Sequence, residues 1–188
     1  MNRGRRFLWC VLAILPMPSP ASARRDPLTD PEVDQLRDTA QDADLRLKLY
    51  IQFARTRLAA LDQARSDPKI TDKAQATRDR LQDFEDVYDE LDDNVDTFAD
   101  RKADLRKVLK AVIEADAEFL TKLRALKTSA ESVKKDDSQR YEFVLDDALE
   151  AVDKSGEDHR QLQSEQEEYW KHHKPPKPDE RKGAVISD

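Results

Sequence analysis

Apolar residues recur along most of this chain at alternating steps of four and three, the period of a helix that buries one face. One series runs Leu47, Ile51, Ala54, Leu58 and Leu61, with Leu45, Leu49, Tyr50 and Phe53 widening its first half. A second runs Leu81, Phe84, Tyr88, Leu91, Val95 and Phe98, and a third Leu105, Leu109, Val112, Phe119, Leu123 and Leu126. The last runs Tyr141, Leu145, Ala148, Val152, Ser155, His159, Leu162, Gln166 and Tyr169, and its apolar density falls from Leu149 onward.

Capping and breaking residues divide these series into elements. Asp30-Pro31-Glu32 reads as a helix start, with Asp30 as the cap, and predicts a short helix through about Ala40. Asp42 or Asp44 opens the first long helix, which ends near Ser66. Asp67-Pro68 breaks the chain, and the second long helix starts near Thr71 or Asp72. Polar residues 128–138 read as a loop, followed by a helix from near Ser138 to about His172, where Lys174-Pro175-Pro176 stops it. The fold these patterns predict is all-α: an antiparallel up-down bundle of about four long helices. Its rival is an elongated arrangement with residues 71–128 as one continuous helix, because no Gly or Pro marks a turn between Phe98 and Leu105. The wide apolar faces favour the bundle, since a two-helix seam would leave them uncovered.

Charge adds an expectation about neighbours. Residues 43–66 carry a net of +3, residues 81–100 a net of −9, residues 101–135 a net of +5 and residues 138–172 a net of −6. Alternating signs in an up-down bundle would place every helix between two of opposite sign. Such alternation disfavours wrong neighbours more than it stabilises right ones.

The amino terminus carries a different signal. Arg3, Arg5 and Arg6 precede an apolar run of nine residues, Phe7 to Leu15, and Ala21-Ser22-Ala23 follows a group of prolines. This order matches a cleavable export signal, with cleavage between Ala23 and Arg24. The run is too short to span a membrane, which needs about 20 residues. The expected organisation is therefore a signal over 1–23, a short helix and linker over 24–42, a bundle over 43–172 and a disordered Pro/Lys tail over 173–188. The exported form is expected in a periplasm or outside the cell, with no stable membrane anchor. It would hold no cysteine, since Cys10 leaves with the signal, and so no disulfide or thiolate metal site. The chain has a net charge of −7, and loss of three arginines makes it more acidic still, which argues against nucleic acid as a partner.

Candidate chemistry is sparse. Asp86, Asp89, Asp93, Asp96 and Asp100 step by three and four, so they form one stripe on a helix. The stripe suits a basic partner or divalent cations, or else a solvated face paired with basic neighbours. Asp92, Asn94, Asp96 and Asp100 match part of a calcium loop, but Thr97 stands where that loop needs glycine and Ala103 where it needs glutamate. His159 lies in the polar part of the last seam with Ser155 and Gln166. Three readings fit it: a buried hydrogen-bonded layer, a small polar pocket, or a stretch beyond the core, and the thinning apolar pattern favours the third. His172 and His173 sit at a helix end that favours cations. Tyr169-Trp170 either anchors a partner or closes the core. Phosphate loops, nucleophile elbows and the Glu-x-x-His pairs of di-iron bundles are absent from the sequence. These features point to a non-enzymatic interaction or scaffold protein with no cofactor, binding another protein through a charged helix face. The alternative is a bundle that binds a cation or small ligand.

Overall fold

A computed structural model describes residues 26–130 and 135–173; the expected export signal and the residues of the expected tail after His173 lie outside the described residues. Five helices account for the secondary structure there: α1 (Asp30–Arg37), α2 (Ala43–Ser66), α3 (Lys73–Asp100), α4 (Arg106–Ala130) and α5 (Lys135–His172). Among the described residues no helix is long and apolar enough to cross a membrane.

The helix starts follow from local chemistry. Asp42 caps α2 by accepting from the Leu45 N–H, and Asp72 caps α3 by accepting from the Gln75 N–H. The cap of α1 is Thr29 and not Asp30, because the Glu32 carboxylate reaches back to accept from both the Thr29 N–H and its hydroxyl. Glu32 also takes a two-pronged ion pair from Arg57, which fastens α1 to α2. The stretch 128–138 is less of a loop than its polarity suggests. Helix α4 continues to Ala130, which is buried, and α5 already starts at Lys135.

The continuous helix over 71–128 does not form. Helix α3 ends at Asp100, and Lys102 takes the left-handed conformation with φ 55°. The Lys102 N–H donates to the Ala99 carbonyl and the Ala103 N–H to the Phe98 carbonyl. Those two bonds make the usual left-handed helix stop, with lysine in the place that glycine normally takes. No turn-forming residue announces it, so the sequence reads through.

Helices α2, α3, α4 and α5 run alternately up and down, as expected of the bundle, but their order around the core is not the order along the chain. Helix α2 packs on α3 and α4, and α5 packs on α4 and α3. The link from α3 to α4 therefore crosses the diagonal. Cross-helix bonds give the directions. Arg46 near the start of α2 meets Asn94 near the end of α3, so these two are antiparallel. Arg65 and Ser129 join the ends of α2 and α4, and Arg140 and Asp72 join the starts of α5 and α3, so both of these pairs are parallel.

The charge expectation fails at this point. Basic α2 lies beside basic α4, and acidic α3 beside acidic α5. The core explains why. Phe84 and Tyr88 of α3 stack at 5.8 Å and both meet Phe119 of α4 edge-on across the diagonal, at 5.5 and 6.1 Å. Fully burying one such ring is worth roughly 1.5–3 kcal/mol, against ~0.2–1 kcal/mol for an exposed ion pair. Packing outweighs surface charge. The expected seam residues of α2, α3 and α4 are buried, whereas Leu45 is 53% exposed and does not extend the core face.

Candidate functional site

The polar part of the α5 seam is not a stretch beyond the core. It is a buried hydrogen-bonded layer. His159 is 2% exposed and Asp116 of α4 is fully buried. The His159 Nδ1 lies 2.9 Å from one Asp116 oxygen, and the Tyr88 hydroxyl of α3 donates to the other at 2.9 Å. On the opposite side of the ring, Nε2 stands 3.2 Å from Asp92 Oδ1 of α3, close enough for an ion pair but off the line of a directed hydrogen bond. One imidazole thus ties together three helices.

Position explains how the layer forms. Asp116 falls on the α4 seam between Val112 and Phe119, at steps of four and three, so the helix must bury it. Gly156 sits one turn before His159 and faces Asp116; a Cβ there would stand 3.5 Å from the Asp116 Cβ, an ordinary contact that the packing has room for. Buried charges persist only when paired, and here each partner comes from a different helix.

The protonation states follow. Both ring nitrogens face carboxylate oxygens, which can only accept, so both carry protons. Burial alone pulls the His159 pKa down, but the hydrogen bond to Asp116 and the nearby charges of Asp116 and Asp92 outweigh it and push it up to about 9. Burial acts to raise Asp92 as well, yet His159 beside it leaves its carboxyl below the usual range. Tyr88 is raised by burial and then by the Asp116 charge, so it stays a neutral donor. An imidazolium has no lone pair to offer a metal or a substrate. The layer is a clamp, and at neutral pH His159 cannot serve as a base.

A second polar contact lies two turns further on. Gln166 Oε1 accepts from the Trp170 Nε1 at 2.7 Å and from the Leu105 N–H at 3.2 Å, which ties the link between α3 and α4 to α5. Trp170 is buried and closes this end of the core, while Tyr169 is partly exposed and stacks on His173. His172 is exposed near Glu168.

The acidic stripe lies where the sequence places it, on α3. Asp86 is half-buried, and Asp89, Asp93, Asp96 and Asp100 are exposed. The stretch matching a calcium loop is uninterrupted helix, with Asp92 committed to His159 and Asn94 to Arg46. Among the described residues, no group of three or more His, Asp or Glu side chains is arranged to hold a metal ion. What the sequence did not show is that α5 adds its own acids to the stripe. Glu85 of α3 is pushed up to about 7, first by burial and then by the charges of Asp89, Asp147 of α5 and Asp86. Asp96 is also raised, by burial and then by Asp92 and Asp100. At this point an acid of α5 joins those of α3.

A surface depression of about 840 Å³ lies at the other end of the bundle, where α2 stops and α3 and α5 begin. It is lined by the Asp72–Arg140 ion pair and is remote from the His159 layer. The chain matches no family model, no curated protein and no solved structure.

Proposed function

We propose that this chain is an exported, non-enzymatic helical interaction protein that docks a basic segment of another protein on the acidic face of α3 and α5. One observation carries the reading: two acidic helices lie side by side, and burial, then the charges of Asp89, Asp147 of α5 and Asp86, hold Glu85 up to about 7. Like charges in contact weaken the fold and do nothing for folding that neutral residues would not do better. A basic partner would relieve that repulsion on binding, and complementary charge gives fast, selective encounter. The order of charged, apolar and small residues over 3–23 supports export. The cation- or ligand-binding alternative gains nothing from His159, whose two nitrogens both face carboxylates of the same chain.

The test is affinity capture of the exported form from envelope extract with light crosslinking, beside a variant carrying Asn at Asp86, Asp89, Asp93, Asp96 and Asp100. The expected result is one dominant, basic partner that the variant loses and that rising salt releases from the wild type. Equal capture by both proteins would contradict the reading.

A further inference from the structure

The seam between α3 and α5 joins two parallel helices of the same sign, and two buried or half-buried titratable groups lie along it. Toward the amino-terminal end is Glu85. Its neighbours are Asp86 and Asp89 on its own helix and Asp147 across the seam on α5; Glu85, Asp86 and Asp147 are all half-buried. The Gln82 amide donates to both Glu85 and Asp86, at 3.1 Å each, and is the neutral group that softens their contact. Two turns further along is His159, faced by Asp92 and Tyr88 of α3 and by Asp116 of α4, with Lys154 of α5 acting on Asp92 and Arg160 of α5 beside Gly156.

The two groups act in the same sense. A protonated Glu85 removes one charge from a crowded set of carboxylates, and a protonated His159 bridges two carboxylates that otherwise repel. Each therefore fastens the seam only while it holds its proton. On the other side, α5 is held to α4 by the ion pairs Lys127–Asp146 and Arg124–Asp153. We infer that the α3/α5 seam is a pH-responsive fastening, tight in mildly acidic surroundings and loosened as the medium turns alkaline, with Glu85 and His159 as its two titrating groups. This holds whether or not the acidic face binds a partner.

The signs give two windows. An unfolded chain releases the Glu85 proton near the ordinary value of 4.5, but the folded chain keeps it up to about 7. The stability it adds is complete below 4.5 and is lost as pH rises to 7. For His159 the window runs from 6.5 to about 9, in the same direction.

The experiment is equilibrium urea unfolding of the whole exported form from about pH 5 to pH 10, with amide exchange followed in α3 and α5. The folding equilibrium constant of the wild type should fall roughly three- to thirtyfold between about pH 5 and pH 6.5, where Glu85 alone is titrating, after discounting for its partial exposure. It should fall again between about pH 7 and pH 9, where His159 alone is titrating. Amides of α3 and α5 should open before those of α2. Glu85→Gln, at a half-buried surface position, should fold, and it should lose most of the fall below pH 6.5 while keeping the fall between pH 7 and pH 9. A wild-type profile flat across both windows, or a Glu85→Gln profile that falls as the wild type does below pH 6.5, overturns the inference.

Discussion

Asp116 is the residue on which the interior depends most. It is fully buried, accepts from Tyr88 and His159, and balances a positive ring that has no route to solvent. Removing one member of a buried ion pair leaves the other uncompensated, at a cost of about 3–5 kcal/mol. Asp116→Ala should therefore destabilise the protein by that amount at neutral pH, read by urea denaturation; a loss below about 1 kcal/mol would show that the layer is not a clamp. The layer was only half legible in the sequence. His159, Ser155 and Gln166 stood out as polar members of an apolar series, but the thinning of apolar residues after Leu149 made a fraying helix look the better reading. The missing signal was Asp116, an acid at a seam position of α4, which matters only once α5 is known to pack there.

Element boundaries show the same division between local and distant causes. Asp42 and Asp72 cap helices with side chains that the sequence displays, so both starts are readable. The end of α3 is not, because Lys102 adopts a left-handed φ of 55° and no glycine advertises it. Holding a non-glycine residue there costs roughly 1–2 kcal/mol. Lys102→Gly should stabilise the protein by about 1 kcal/mol, partly offset by the greater freedom of glycine when unfolded, and raise the melting temperature by about 2–4 °C. Calorimetry checks it; an unchanged or lower melting temperature would mean that lysine is unstrained at this turn. That turn also decides topology, because five residues from Arg101 to Leu105 carry the chain across the diagonal, and no count of charges per helix foretells that crossing.

At the scale of the whole molecule, the order of helices around the core turns alternating charge along the chain into segregated charge on the surface. The aromatic contacts of Phe84, Tyr88 and Phe119 and the His159 layer favour that order over the alternating one, and both lie in the interior. The acidic face is thus a consequence of core packing, available for a basic partner. The bundle, its helix count and the stripe on α3 were readable from periodicity and composition. The pairing of α3 with α5 was not, since it depends on contacts between residues far apart in the chain. The central claim is that a buried imidazolium, held by Asp116 of α4 and Asp92 of α3, fastens two acidic helices side by side. Nitrogen-detected NMR titration of His159 tests it most directly, because His159 is buried whereas His172 and His173 are exposed. The account predicts a ring doubly protonated at neutral pH that loses its proton near 9. A ring that titrates near 6.5, or that is neutral with one bare nitrogen at pH 7, would contradict it.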